Sequence, residues 1–451
     1  MPDDPTPRPR RSGERLPRRT SEPVAVLGTG VAGLGAARRL SELGLPFALY
    51  DEKAYIGGHT ATFSFGNGFS FDEGPHVSFT KNPRFQSLLA ENVGHRVRNV
   101  DALINNYWKG HWIQHPAQLN LHGLPTDLVV NIVKDLVERR SKPGASVENY
   151  EDWLIEAFGE TFARTFPIPY NIKYQTTEPC NLVTEWLGPR MYRPEVEEVL
   201  RGALAPQSRN VHYVSEFRYP EAGGFQAFVV PFANGHDVHL EHRLAELDPT
   251  AKTLRFENGH EVRYSAVISS IPLPTLIPLV TGVPDNVKEA ARALSYSSVV
   301  IVNIGVDRSD LSDAHISYVY DSDIVFARLN FPHMLSPWNA PSGAGSVQAE
   351  IYFSRYRPLR VPAKQLIEPV VVDLRRCGIL REDDVVLHCS AHLVPFANVI
   401  YDFDREAALS EVHGFLDEVG VRYCGRYGDW NHTWTDEAFE SGERAAEKIE
   451  V

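Results

Sequence analysis

Val24-Ala-Val-Leu-Gly28-Thr-Gly30-Val-Ala-Gly33-Leu-Gly-Ala-Ala-Arg-Arg-Leu40 is a short apolar run that breaks into glycines and then resumes with helical spacing. The order reads strand, loop, helix. Gly28 permits a tight turn, Gly30 lets the backbone approach a pyrophosphate, and Gly33 lets helix and strand close on each other. Val31 and Ala32 open the helix, whose first N–H groups have no partner inside it and are offered to an anion. A second apolar run, Phe47-Ala-Leu-Tyr50, ends at Asp51-Glu52. That lies about twenty residues past the loop, where an acid meets a ribose hydroxyl. The stretch therefore predicts a dinucleotide site.

Two later segments say which dinucleotide. Ile56-Gly57-Gly58-His59-Thr60 places a glycine pair after the acid, and Phe69-Ser-Phe71-Asp-Glu-Gly74-Pro-His76-Val-Ser-Phe79 is an alternating strand broken by Gly-Pro. Nicotinamide enzymes need neither. The combination resembles the glutathione-reductase-like flavoproteins, in which the next strand brings backbone to the isoalloxazine, so the resemblance implies FAD rather than NAD. The expected fold class is α/β: a Rossmann-type FAD-binding domain with a helical insertion and a second, sheet-based substrate lobe.

The bulk properties bound the alternatives. A chain of 451 residues is long for one core and predicts more than one lobe. Hydrophobic residues at 43% and charged residues at 23% are ordinary for a globular protein. A net charge of -13 argues against nucleic acid as a partner, because phosphate binding by counterion release wants a basic face. Four scattered cysteines, at 180, 377, 389 and 424, make neither a disulfide framework nor a CxxC metal site, so a reduced, cytoplasmic setting is expected. The most apolar stretch, Ala266 to Val280, is cut by Ser269, Ser270, Pro272, Pro274 and Pro278, and no membrane span is expected.

The chain divides by its texture. Residues 1–22 alternate proline with arginine and lack the apolar surface to offset their ordering entropy, so a disordered tail is expected. Residues 23–81 form the first part of the FAD-binding domain. Residues 82–205 read as a mainly helical insertion around the aromatic patch Tyr107 to Gln118, with helices over Asp127–Arg140 and Tyr150–Phe166. Pro167 to Tyr174 and Trp186 to Pro194, rich in proline, aromatics and cations, read as substrate-facing loops. Residues 206–296 return to the FAD domain through a hairpin at Asn258-Gly259 and a buried-type strand at Ala266–Ser270. Residues 297–415 carry strand-like runs at 299–306, 346–353 and 385–391, a sheet-based lobe. Residues 416–451 close on Gly425-Arg426, a turn between strand and helix where N–H groups and a cation meet an anion.

Four matches resemble FAD-dependent UDP-galactopyranose mutases more than the related protoporphyrinogen oxidases and flavin amine oxidases. The Phe71–Phe79 strand resembles the one whose histidine, here His76, lies against the flavin. Trp186 followed by Arg190 resembles a segment gripping the substrate diphosphate. Phe326-Ala-Arg328-Leu-Asn-Phe331, with Tyr318 upstream, resembles the segment holding the second diphosphate arginine and a phosphate-contacting tyrosine. Gly425-Arg-Tyr-Gly-Asp-Trp430 resembles the closing flavin motif. The resemblance implies a redox-neutral isomerase in which the reduced flavin N5 acts as nucleophile on the anomeric carbon of a nucleotide sugar, with an external reductant such as NAD(P)H. It also implies substrate contacts at Asn171, Tyr174 and Gln118.

The chain departs from the mutases where they hold the base. His115, Pro116, Ala117 and Gln118 replace a uridine-embracing aromatic set, and Gln175 stands where a tryptophan stacks. Loss of one such platform weakens base binding by about 1–3 kcal/mol. The alternative is an FAD-dependent oxidoreductase of the protoporphyrinogen-oxidase or amine-oxidase type, which the glycine motifs fit equally well.

Overall fold

The computed structural model describes residues 22–141, 144, 146–188, 191–206 and 215–449. The proline/arginine segment up to residue 21 and Arg190 lie outside the described residues.

The stretch at 24–40 folds as read. Val24–Leu27 is a strand and Val31–Glu42 a helix, and the strand is the middle of a five-stranded parallel sheet. The spatial order is Val421–Tyr423, Val267–Ser269, Val24–Leu27, Phe47–Tyr50, Asp237–His239. Side chains alternate across the sheet. Ala25, Leu27, Ala48, Tyr50 and Val267 face an antiparallel meander, Leu244–Asp248, Thr253–Phe256 and Glu261–Arg263, packing on its Leu244, Leu247, Leu254 and Phe256. Val24, Val26, Leu49 and Ile268 face the other way, onto Ala32, Ala36, Ala37 and Leu40 of the first helix and Ala445 and Ala446 of the last, Thr435–Glu447. Those two helices touch through bare backbone: a Cβ on Gly442 would stand 1.9 Å from Ala32 O, and one on Gly35 would stand 2.1 Å from Phe439 O.

The second sheet has seven strands in the order Val386–Val399, Tyr296–Val306, Gly345–Ser354, Arg328–Asn330, Ile316–Val319, Ile104–Trp108, His111–Gln114. Its last two strands lie within residues 82–205, which the sequence reads as mainly helical, and correct that reading there. The aromatic patch is a hairpin, with Tyr107 opposite Trp112. Lys109 and Gly110 both take positive φ, 45° and 83°, which is the backbone a two-residue hairpin turn requires. A lysine there is a weaker sequence signal than asparagine.

The helical layer gathers Thr126–Arg140, Tyr150–Phe158, Glu160–Thr165 and Pro167–Tyr174 around Ile132, Leu136, Leu154, Phe158, Phe162 and Phe166. Two details differ from the sequence reading. The run expected as one helix to Phe166 breaks at Gly159, whose φ is 80° and whose Cβ would stand 2.9 Å from Leu136 N. The segment expected as a loop, Pro167–Tyr174, is a helix with proline in its first turn, where the missing N–H costs nothing. No helix among the described residues is long and apolar enough to cross a membrane.

Candidate functional site

The glycine loop is a cradle of uncovered backbone. Gly28 has φ 108°, and a Cβ on Gly33 would stand 1.9 Å from Gly28 O, so helix and strand close as the spacing requires. Gly30 precedes the helix in extended conformation; no side chain caps the helix, and its first turn carries no acid. A twelve-residue helix with a bare N-terminus presents N–H groups and the positive end of its dipole. Gly57 N–H donates to Thr29 O at 2.9 Å, and a Cβ on Gly58 would stand 3.0 Å from Gly30 Cα. From the chain's other end Gly425, φ 76°, comes so close that its Cβ would stand 2.6 Å from Ala32 Cβ. Such a donor set and such clearance fit the pyrophosphate of a dinucleotide.

Asp51 is buried at the tip of the second strand. Its Oδ2 accepts from Thr29 N–H at 2.6 Å and Thr29 Oγ1 at 2.7 Å, and its Oδ1 accepts from Lys53 N–H at 2.9 Å. The carboxylate thus ties the loop to the strand it faces. Glu52 points to solvent, paired with Arg243 at 3.1 Å.

The Asp72–His76 segment crosses between the two sheets. Asp72 is buried and accepts from Thr62 Oγ1 and Tyr219 OH, both at 2.6 Å, and from Phe225 N–H at 3.0 Å. Burial pushes its carboxyl up to about 6 against those three hydrogen bonds. Glu73 lies between two imidazoles, with His59 Nδ1 at 2.6 Å and His392 Nε2 at 3.0 Å. Burial alone would raise it, but these partners hold it at about 2. His76 Nδ1 lies 3.1 Å from Gly74 O, and its ring is 5.7 Å from Phe225. Desolvation pushes this imidazole down to about 4 despite that hydrogen bond, and the charges of His59 and Arg426 act in the same direction. His76 is therefore neutral at pH 7. Arg426 is fixed by Ala397 O at 3.2 Å and Thr433 O at 2.7 Å, and Tyr427 stands edge-on to His59 at 5.5 Å. The Gly57–His59, Gly74–His76 and Gly425–Arg426 segments meet in one place.

Beside them lies a second wall made of side chains. Along Gly345–Ser354, Val347, Ala349 and Ile351 face an apolar core, whereas Gln348, Glu350 and Tyr352 face the opposite way. Opposite them sits the strand with Arg328 across from Glu350 and Asn330 across from Gln348. Arg328 grips the buried Glu350 through Nε and, at 3.0 Å, through Nη2, which also donates to Tyr352 OH at 3.1 Å. Nη1 makes no such contact among the described residues. Tyr174 lies under the guanidinium at 5.9 Å, packs on Tyr352 at 4.8 Å and stacks with Tyr170 at 5.6 Å; Tyr318 meets Tyr170 edge-on at 5.5 Å. This wall adjoins the first: a Cβ on Gly74 would stand 3.4 Å from Glu350 Oε1, and Gln348 Nε2 donates to Asp72 O at 2.9 Å.

Of the residues singled out in the sequence, Gly28, Gly30, Val31, Ala32, Gly33, Asp51, Gly57, Gly58, His59, Gly74, His76, Gly425 and Arg426 assemble around the loop cradle, and Arg328, Tyr174 and Tyr318 around the side-chain wall. Three are placed differently: Glu52 pairs with Arg243 at the surface, and the other two are amides. Asn171 is buried and donates to Thr177 O at 3.0 Å, closing the end of its own helix. Gln118 donates to Tyr192 O at 3.2 Å, an exposed contact. Sequence reasoning missed Glu73, His392, Glu350 and Tyr352. The signal for the last two was available, a polar set at every second position of an apolar strand.

Comparison with known proteins agrees with this geometry. Residues 31–450 match the flavin containing amine oxidoreductase family, and the chain belongs to it. It is a flavin-dependent enzyme of that superfamily. The structure resembles that of reduced UDP-galactopyranose mutase with a TM-score of 0.89 and 26% identity, covering 95% of each chain. A candidate protoporphyrinogen oxidase from Exiguobacterium sp. 255-15 shares the fold at TM-score 0.73 and 15% identity, over 95% of this chain and 99% of that one. Zeta-carotene desaturase from Arabidopsis thaliana is 25% identical over 146 residues, 30% of this chain; the match spans only 25% of that relative's own length.

Proposed function

We propose that this protein is a flavin-dependent nucleotide-sugar mutase that interconverts pyranose and furanose forms, resembling UDP-galactopyranose mutase. The observation that carries the reading is the likeness to reduced UDP-galactopyranose mutase over 95% of both chains at 26% identity. On this reading FAD lies on the Gly28–Gly33 loop, bounded by Gly57, Gly58, Gly74 and Gly425, and when bound and reduced it supplies a nucleophilic N5.

The chain's own residues have three tasks. Arg328, whose Nη1 faces no protein acceptor among the described residues, donates to the diphosphate as negative charge develops on it, a stabilisation worth most in a site screened from water. Arg190 is the second cation assigned to that group. Tyr174 and Tyr318 position the substrate beside Arg328 and exclude solvent. His76, held neutral, adds no charge beside the flavin that would compete with Arg328 for the anion.

The test is turnover under anaerobic conditions. The dithionite-reduced holoprotein is offered UDP-galactofuranose and other nucleotide sugars, and pyranose products are followed by chromatography. Exchange in the reduced state and none in the oxidised state supports the reading. It fails if no sugar nucleotide reacts or perturbs the flavin spectrum. One observation favours a second reading, an FAD-dependent oxidoreductase: Glu350 already neutralises Arg328, and four tyrosines surround the pair, a lining suited to an organic substrate held by rings rather than by a diphosphate. An amine or porphyrinogen-like substrate that bleaches the oxidised flavin would establish that reading instead.

A further inference from the structure

Far from the Arg328 wall, at the outer edge of the parallel sheet, three histidines converge. His239 ends the edge strand Asp237–His239, His242 follows in the next turn, and His260 comes from the Asn258-Gly259 hairpin of the meander. A ring nitrogen of each lies within 4.8 Å of one on both others, and among the described residues no other group of His, Cys, Asp or Glu meets that condition. His242 Nε2 is 3.0 Å from His260 Nδ1.

We propose that His239, His242 and His260 form a binding site for one divalent transition-metal cation of the zinc class. The ligand set is pure imidazole, which suits Zn(II), Ni(II) or Cu(II) and not Mg(II) or Ca(II). One of the rings is oriented as metal ligands are. His242 Nδ1 faces Leu240 O at 2.8 Å, so it carries the proton and leaves the Nε2 lone pair pointing at the cluster. His239 Nε2 lies 3.1 Å from Asp237 Oδ1, a carboxylate that holds the ring. With metal–nitrogen bonds of about 2.0–2.1 Å, tetrahedral ligands stand about 3.4 Å apart, so the rings need only small rotations to close. The guanidinium of Arg243, next in sequence to His242, is held by Glu52 at 3.1 Å and Glu257 at 3.7 Å.

The site bridges two parts of the fold. His239 O accepts from Asp51 N–H at 3.0 Å and His242 N–H donates to Asp51 O at 2.7 Å, while His260 belongs to the hairpin that covers the sheet. A bound ion clamps the meander to the strand ends that carry Asp51. This inference does not depend on which reaction the flavin site performs.

The experiment is calorimetric titration of ZnCl2 into the FAD-loaded full chain, with MgCl2 as control. Because the chain has 17 histidines, variants decide the location. The expected result is one equivalent of Zn(II), no Mg(II), and at least about a hundredfold weaker binding in each of His242→Asn and His260→Asn; Asp237→Asn weakens it about tenfold. His260 sits on a surface turn, so His260→Asn keeps the test valid if His242→Asn does not fold. Absence of a saturable one-equivalent uptake, or uptake in His260→Asn equal to wild type, overturns the proposal.

Discussion

Around the phosphate loop the walls are backbone: Gly28, Gly30, Gly33, Gly57, Gly58 and Gly425 approach so closely that at four of them a Cβ would fall at 3.0 Å or less from its nearest neighbour. Around Arg328 they are side chains, Glu350, Tyr352, Tyr174, Tyr170 and Tyr318, held by ring contacts and one ion pair. The first region has the clearance and the bare N–H groups that a pyrophosphate needs. The second has no backbone rule to obey and is free to change its substrate by exchanging side chains. Glycine is demanded where two chains must touch, and it cannot be replaced. A tyrosine wall tolerates replacement at the cost of specificity.

Substitutions break this contrast in graded ways. Gly33→Val has the largest expected effect, because its Cβ alone would lie 1.9 Å from Gly28 O; the purified variant should carry no flavin absorbance. A fully yellow Gly33→Val protein would show that the loop is not the cofactor cradle. Next, Arg328→Ala leaves the buried Glu350 carboxylate without its partner, which costs about 3–5 kcal/mol in urea unfolding, while the flavin-to-protein ratio of the folded fraction stays at the wild-type value. An Arg328→Met/Glu350→Met double variant should recover most of that loss, and failure to recover would mean that the pair is not an isolated unit.

The pH response sharpens the same comparison. The folded-state value of His76, about 4, lies below its ordinary 6.5. Between those values the unfolded chain binds a proton that the folded chain refuses, so stability falls as pH drops from 6.5 to 4. The loss reaches at most about 3 kcal/mol. A His76→Gln variant should lose only the share of this slope that His76 supplies, because His315, also pushed down to about 4 by burial, still refuses its proton; a His76 imidazole found by NMR to titrate near 6.5 would contradict the burial argument. Gly442→Ala acts on the loop only indirectly: its methyl would fall 1.9 Å from Ala32 O and force the first and last helices apart, at about 3 kcal/mol or more in thermal unfolding. Weakened flavin binding in that variant would show that the helix N-terminus depends on the helix packed behind it.

What could be read in the sequence follows the same division. The loop, its acid and the double glycine are local patterns whose requirements are met within a few residues, so the Rossmann-type fold and its flavin were legible. So were the strands at 299–306 and 346–353, which are long and apolar. The hairpin about Lys109-Gly110 was not, because its turn uses a lysine at positive φ where the sequence rule looks for asparagine. The clasp of Arg328 by Glu350 depends on the register of two strands, which no single segment encodes. Only the alternation of Gln348, Glu350 and Tyr352 hinted that the strand has a polar face. Asn171, matched to a base contact, donates one N–H to Thr177 O, a local bond that the sequence did not announce.

On the proposed function, the wall at Arg328 holds a diphosphate beside the flavin. Equilibrium titration of the FAD-loaded protein with UDP, read by the flavin absorbance spectrum, tests it directly. The expected result is saturable binding that perturbs the flavin bands and that weakens strongly in Arg328→Lys, whose single ammonium cannot hold Glu350 and reach a ligand at once, with FAD content unchanged. Binding of equal strength in wild type and Arg328→Lys, or no spectral response at any UDP concentration, would contradict it.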